Sequence, residues 1–339
     1  MPRKMIPKRR FLKARFFLTN SCVYNCVYCH NEGMGTQKRY GGEYLNVDDY
    51  VYLADVLKNN FQLKCIALTG GDPFLYKDFS SLTKRLKGLG VELVALTKGA
   101  PIHQWLSNEP EVFRSLDFVY FSIDTLDRNE FAKTCRVKPA VFDAGITALD
   151  KLVSMGVMVR INCVVKPNSP KESEKVLSMI DFAKKHKVEE LRFIELADIN
   201  NPKEPFVERV LMGAGIAISC SQKPYDAVLL KRRSFKLDDG FEFLVLRCMC
   251  SVTLFTGKIT CFDQDLYLDS FGRVNTCLEW EVDKNPYALE LGEIIKKRET
   301  KVLVENLNGM RSGLHVCPIL LDEKDRLKIK AGLNLGSYR

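Results

Sequence analysis

The segment Cys22-Val-Tyr-Asn-Cys26-Val-Tyr-Cys29 places three cysteines within eight residues. Iron–sulfur clusters are held by cysteine thiolates, normally four of them. Three thiolates on one short loop would hold a cubane by three corners and leave one iron open to a small ligand. The next cysteine, Cys65, falls inside a strand-like run rather than on the loop. A zinc site using these thiols and His30 is the competing reading. Zinc takes four tetrahedral ligands, and the adjacent Cys29 and His30 would chelate it awkwardly.

Three further segments follow in order: Gly70-Gly71-Asp72-Pro73, Phe121-Ser-Ile-Asp-Thr-Leu-Asp127 and Arg160-Ile-Asn-Cys-Val-Val165. Each sits at or near the end of a strand-like run, where a polar residue is also common in an ordinary turn. Behind the C-x3-C-x2-C motif, however, the set resembles the radical S-adenosylmethionine (SAM) superfamily. That resemblance implies a [4Fe–4S] cluster on Cys22, Cys26 and Cys29, with SAM chelated to the open iron. Reduction would split SAM into methionine and a 5′-deoxyadenosyl radical, which abstracts a substrate hydrogen. By the same resemblance Gly70, Gly71 and Asp72 meet the methionyl amino group, and glycines there let the backbone approach a ligand closely. Tyr28 matches a position beside the adenine, Ser122 and Asp124 a strand end at the cofactor, and Asn162 a polar position near the ribose. The implied fold is α/β, a partial (β/α)6 barrel of TIM type with SAM across the C-terminal strand ends. The implied electron donor is a flavodoxin or ferredoxin.

The C-terminal part carries Cys248, Cys250, Cys261, Cys277 and Cys317. The spacing Cys261-x10-Gly272-x4-Cys277 falls within the pattern of Twitch and SPASM auxiliary-cluster domains, in which a hairpin precedes a helix. The resemblance implies a second [4Fe–4S] cluster on Cys261, Cys277 and Cys317, with Cys250, Cys248 or no protein ligand at the fourth iron. Too few cysteines remain for a full SPASM domain, so a smaller α+β Twitch-like unit is expected. Idle cysteines are also commonly buried, and Cys65, Cys135, Cys163 and Cys220 are read as structural.

Most of the chain resembles the GTP 3′,8-cyclase family of molybdopterin biosynthesis. The resemblance rests on Leu68-Thr-Gly-Gly-Asp-Pro73, on the 121–127 and 160–165 segments, and on Leu191-Arg-Phe-Ile-Glu-Leu196. It makes Arg15, Arg160 and Arg192 candidates for holding an anionic substrate. Positions that are basic in the family read Cys65-Ile-Ala67 and Asp265-Leu-Tyr267 here. A guanidinium fixed on a phosphate is hard to replace, so a substrate other than GTP is expected. The readings left open are a small anionic metabolite or nucleotide, a ribosomally made peptide or protein, GTP itself, and a non-enzymatic electron-transfer protein.

Elements must position these residues. Strand-like runs occur at 15–19, 65–69, 91–97, 117–123, 157–165 and 190–196, with helical patterns between them, which implies a parallel sheet. Asn46 and Asp49 form a capping-box variant ahead of Val47, Val51, Ala54, Leu57 and Phe61. Phe142, Ile146, Leu149 and Val153 make a second stripe closed by Gly156, and Ser173 opens a third helix. Alternation puts Arg160 and Asn162 on one face and Cys163 on the other, and Cys65, Ala67 and Thr69 together. Beyond Asn200 shorter strands are expected at 225–230, 241–247, 265–269 and 273–277, then helices at 287–297 and 299–308. The expected division is 1–200 for the barrel, 201–260 for a linker and transition, and 261–339 for the auxiliary-cluster unit.

The 339 residues carry a formal charge of +9, which suits a solvated basic surface or an anionic partner. No stripe of basic and aromatic residues marks a nucleic-acid groove. No run is long and apolar enough for a membrane span, and the basic N-terminus lacks a secretory apolar core. Twelve cysteines in a chain this long read as cluster or metal chemistry in the reducing cytoplasm.

Overall fold

The computed structural model describes residues 10–29, 44–166, 170–196, 206–220, 232–247, 265–276 and 288–310. Six strands, β1 (Lys13–Thr19), β2 (Cys65–Gly70), β3 (Glu92–Thr97), β4 (Phe118–Ser122), β5 (Val159–Val165) and β6 (Glu190–Glu195), pair in chain order, all parallel. Parallel neighbours need crossovers. These carry α1 (Val47–Phe61), α2 (Phe79–Gly88), α3 (Ile102–Asn108), α4 (Arg128–Cys135), α5 (Ala140–Ser154) and α6 (Pro170–Lys185).

Burial along β5 alternates. Val159, Ile161, Cys163 and Val165 are buried in the main core under the helices, while Arg160, Asn162 and Val164 face the other way, half-buried. The inner face has its own small clusters. Ala67, Val94 and Tyr120 pack with Cys65, Leu96 and Phe118, and Phe17 packs with Tyr267. Arg15 of β1 and Ile194 of β6 line one cavity. Six strands spaced about 4.8 Å apart could not do so in a flat sheet, so the sheet curls into the expected partial barrel.

Helix α1 opens with the full capping box: Asp49 N–H donates to Asn46 Oδ1 at 3.1 Å, and Asn46 N–H donates to Asp49 Oδ2 at 2.9 Å. Its buried line runs through Tyr50, Leu53, Ala54, Leu57 and Phe61, with Val47 and Val51 only half-buried at its margin. Gly156 follows α5 at φ +76°, as the C′ reading requires. Helix α6 begins at Pro170, three residues before Ser173. Proline suits the first helical position because its missing N–H would be unpaired there.

The sheet continues past both ends of this core. The stretch 201–260, expected as a linker and transition with a strand at 241–247, carries α7 (Phe206–Gly213), β7 (Ile218–Cys220), β8 (Arg232–Leu237) and, where that strand was expected, β9 (Glu242–Arg247). Strand β9 runs parallel to β6, and β8 and β7 follow antiparallel. At the other edge β10 (Asp265–Leu268) lies parallel to β1, followed by β11 (Arg273–Asn275) and β12 (Leu289–Glu290). The hairpin expected here is therefore present. Asp269 braces its turn, its Oδ1 accepting from the N–H groups of Phe271 and Arg273, both at 2.9 Å. Gly272 sits at φ +89°, where an added Cβ would lie 2.4 Å from Gly292 Cα. Helices α8 (Gly292–Lys296) and α9 (Thr300–Gly309) close back on α1, with Arg298 Nη1 2.7 Å from Asp49 Oδ1. The strand expected at 225–230 lies outside the described residues. Among the described residues no helix is long and apolar enough to cross a membrane.

Candidate active site

The cysteine loop leaves β1 and is tied down on two sides. Gly71 N–H donates to Thr19 O at 2.6 Å, and Asp72 N–H to Ser21 O at 2.9 Å. On the other side Asn25 N–H donates to Cys135 O and Val27 N–H to Thr134 O, both at 2.9 Å, so the loop uses carbonyls at the end of α4. The glycines have a more local role than ligand approach alone. A Cβ at Gly70 would lie 2.5 Å from Thr19 O, and one at Gly71 2.2 Å from Ser21 O. Only glycine lets the β2 turn approach the root of the cysteine loop this closely.

Above the strand ends lies a cavity of about 450 Å³. It is lined by Cys22, Cys26, Tyr28, Cys29, Gly70, Gly71, Asp72, Ser122, Asp124 and Asn162, together with Arg15. Segments more than a hundred residues apart in sequence thus converge on one space. None of the three cysteines is in a disulfide; Cys22 and Cys29 are exposed and Cys26 is half-buried. Burial pushes the Cys22 thiol up to about 11. A hydrogen bond with Cys135, and then burial, hold the Cys26 thiol well above its ordinary range.

A charged network crosses the cavity wall. Tyr28 Oη donates to Asp124 Oδ2 at 2.5 Å, and Val164 N–H donates to Asp124 Oδ1 at 3.0 Å. Lys98 Nζ donates to Tyr28 Oη at 3.0 Å and to Ser122 O at 3.3 Å, and lies 3.6 Å from Asp124 Oδ2. Burial raises the Asp124 carboxyl, but Lys98 and the donors outweigh it and the net shift is downward. Burial likewise opposes the Lys98 charge, and Asp124 together with nearby thiols turns its net shift upward. Asp72 is 2% exposed, with Thr97 Oγ1 donating to its Oδ2 at 2.6 Å and Phe74 N–H to its Oδ1 at 3.1 Å. Burial still lifts its carboxyl to about 6.

Arg160 and Arg192 sit on inner-face positions of β5 and β6 and do not line this cavity. The Arg160 guanidinium lies 3.3 Å from the Phe118 ring centroid, and its Nη1 donates to Tyr120 Oη at 2.8 Å. Arg192 lies over Tyr120 at 4.5 Å and pairs with Glu190, which is also 3.7 Å from Arg160 Nε. Two of the three expected anion-binding side chains therefore already share a carboxylate. Arg15 lies over Tyr267 at 6.0 Å, and its register partners are Ala67 and Tyr267.

Residues 16–180 match the family profile described as the Radical SAM superfamily. This segment is a radical SAM domain. The superfamily is one of enzymes. Among curated proteins, a "Probable GTP 3′,8-cyclase" of Pyrobaculum aerophilum is 28% identical over 188 residues, 56% of this chain. The match spans 58% of that relative's length. Among solved structures, Streptococcus suis SuiB bound to precursor peptide SuiA aligns with a TM-score of 0.58 at 14% identity, covering 92% of this chain and 70% of that one. Native anSMEcpe with bound AdoMet aligns at 0.52 and 16% identity, covering 80% of this chain and 76% of that one. These structures share the fold.

The residues of the radical SAM domain fit the group the family implies. The donor set is three cysteines outside any disulfide that line the cavity, and Asn162 Oδ1 is a buried oxygen with no hydrogen-bond partner, on a side chain that lines it. Among the described residues no three ligating side chains gather closely enough for a single metal ion. The second cysteine set, Cys250, Cys261, Cys277 and Cys317, lies outside the described residues, as does Cys248. Sequence reading missed Lys98, Glu190 and the partner of Cys26. Thr97-Lys98-Gly99 at the end of β3 held the signal for Lys98, since it repeats the polar strand end seen at β2 and β4. Nothing in the sequence pointed from Cys135 to Cys26.

Proposed function

We propose that this radical SAM domain cleaves SAM reductively in the 450 Å³ cavity and abstracts a hydrogen from a small anionic metabolite or nucleotide held deeper on the inner face. The observation that supports this reading is the convergence of the three thiols, the Gly70-Gly71 turn and the ends of β4 and β5 on that single space. Cys22, Cys26 and Cys29 would hold a [4Fe–4S] cluster, which when bound supplies the electron that splits SAM into methionine and a 5′-deoxyadenosyl radical. Asn162 offers an acceptor to a hydroxyl, and Lys98 with Asp124 holds Tyr28 at the cavity wall. Raised thiol pKa values mean that loading the site releases protons. Arg15, Arg160 and Arg192 would orient the substrate anion, while the aromatic walls of Phe118, Tyr120 and Tyr267 exclude water.

A second reading is modification of a peptide or protein side chain. The sharing of Glu190 by Arg160 and Arg192 supports it, because one carboxylate lowers the net charge that a polyanion would require. The same feature, with Ala67 and Tyr267 beside Arg15, weighs against GTP, although curated relatives carry the cyclase name. Cys261, Cys277, Cys317 and Cys250 are proposed to hold an auxiliary [4Fe–4S] cluster. The cysteine load suits a reducing cytoplasm.

The test is anaerobic reconstitution, reduction with dithionite, and assay of 5′-deoxyadenosine with an iron count. Deoxyadenosine with about eight irons supports both clusters, and with about four it removes the auxiliary one. Absence of deoxyadenosine at full iron load would turn the reading to an electron-transfer protein.

A further inference from the structure

Cys26 has a thiol neighbour that is not on the cysteine loop. The residues on either side of it are pinned to the end of α4: Asn25 N–H donates to Cys135 O and Val27 N–H to Thr134 O, both at 2.9 Å. Those bonds lay Cys26 alongside Cys135, and the two thiols share a hydrogen bond. Beside them Tyr24 and Phe131 meet edge to face with ring centroids 6.1 Å apart, and Tyr24 Oη accepts from Ala100 N–H at 3.1 Å. Cys135 is 1% exposed in this small core, while Cys26 packs against it and also lines the cavity.

Cys22 and Cys29 share the loop with Cys26 but are exposed. Cys163 lies in the main core under the helices, and Cys65 packs with Ala67 on the inner face. Cys135 is therefore the thiol that the fold itself brings to Cys26, across more than a hundred residues of sequence. Two thiols in hydrogen-bond contact on anchored backbones need only a small movement to reach the S–S separation of a disulfide, about 2.05 Å. Iron ligation needs the Cys26 sulfur as a thiolate, so one sulfur atom cannot serve a disulfide and a cluster together.

We propose that Cys26 and Cys135 form a reversible disulfide in the cluster-free chain, and that this bond blocks loading of the first site until a thiol reduces it. The oxidant is a low-molecular-weight disulfide, oxidised glutathione. Cys26 Sγ attacks it from the cavity, one glutathione leaves as its thiolate, and a mixed disulfide remains on Cys26. Cys135 Sγ then attacks Cys26 Sγ, and the second glutathione leaves. The two protein thiols give up two electrons and two protons, and oxidised glutathione takes them up. Reduced thiols run the same exchange backwards. While the bond is closed, Cys26 is kept from the irreversible sulfinic and sulfonic states. The pairing stands on the contact alone, and its effect on loading rests on the ligand set proposed above.

The experiment takes the full chain, reduced and stripped of metal under anaerobic conditions, exposes it to oxidised glutathione and alkylates the remaining thiols. Digestion with trypsin and chymotrypsin without reductant puts Cys22, Cys26 and Cys29 on separate peptides, because Tyr24 and Tyr28 lie between them. Mass spectrometry should find the Cys26 peptide joined to the Cys135 peptide in excess over every pair made within the loop. In a Cys277→Ala background, where iron reports the first site alone, the oxidised chain should take up about four fewer irons than the reduced one. Dithiothreitol should restore them. Cys135→Ser should give no such cross-link, yet in the reduced state load as much iron as wild type. Should that variant lose structure, the peptide map of wild type decides the question. Pairing of Cys26 with Cys22 or Cys29, a glutathione adduct that Cys135 does not resolve, or an unreacted Cys26 overturns the proposal. A Cys26–Cys135 bond that leaves iron uptake intact would instead overturn the ligand set proposed above and leave the pairing standing.

Discussion

Tyr28 and Asp124 meet in a 2.5 Å hydrogen bond that joins the cysteine loop to the turn after β4. Asp124 in turn holds Val164 N–H on β5 and faces Lys98 beyond β3. One carboxylate thus fixes the loop relative to three strands. Tyr28→Phe removes the phenolic donor and should cost about 2 kcal/mol, the range for a hydrogen bond to a charged group. Asp124→Asn leaves the Lys98 ammonium buried without its counter-charge and should cost about 3 kcal/mol or more. Thermal melts would rank the two; a larger loss for Tyr28→Phe would contradict the central role given to Asp124.

Gly71→Ala tests the close approach of β2 to the cysteine loop. Its Cβ would enter the backbone of Ser21, which cannot swing aside as a side chain does. A cost of about 1–3 kcal/mol is expected for such overpacking, with SAM affinity falling by about tenfold as the loop shifts. Calorimetry with SAM checks this, and unchanged affinity would show that the loop moves without disturbing the cavity.

Asp72 gives a pH signature. Its carboxyl titrates near 6 in the folded chain and near 3.9 when unfolded. The folded state therefore binds the proton more tightly. The associated stability is full below about pH 4 and is lost as pH rises through about 6. Relative to Asp72→Asn, wild type should lose up to about 3 kcal/mol between those limits. Melting temperatures of both proteins at pH 5 and pH 7 measure it, and a gap independent of pH would refute the assignment.

The two cysteine sets can be separated by iron content. Cys26→Ala should abolish SAM cleavage and remove most of the iron of the first site. Cys277→Ala should leave about four irons and uncoupled SAM cleavage. Retained cleavage in the first variant, or a full iron load in the second, would each remove one cluster from the account.

Glu190→Gln probes the charge of the inner face. Losing one negative charge beside two guanidiniums should raise the affinity for inorganic tripolyphosphate by about tenfold or more. Isothermal titration of wild type and variant decides it. Equal affinities would mean that Arg160 and Arg192 do not meet the anion.

The parts of this arrangement that were legible in the sequence depend on local periodicity. Alternation along 159–165 separated Arg160 and Asn162 from Cys163, and the burial of those residues follows it. Asn46 with Asp49 marked the start of α1 because capping is a contact three residues long. Glu190 escaped notice because its significance comes from Arg160, which sits on the neighbouring strand. Cys135 escaped for the same reason: its contact with Cys26 is made by the packing of α4, and burial alone looked like an ordinary core thiol. The strand Arg232–Leu237 was missed because its basic residues mask the alternation. It forms by pairing with β9, whose own pattern is apolar.

The placement of β10 bears on how the chain is made. Strand β1 leads into the cysteine loop, yet one of its two neighbours is β10, whose residues are among the last of the described chain to be synthesised. While the ribosome is still translating the middle of the protein, β1 has β2 on one side and an open edge on the other. The strand that presents the thiols therefore gains its second neighbour only after every other strand of the barrel core has been made, so the sheet around the site is completed by a segment far downstream of the cysteines.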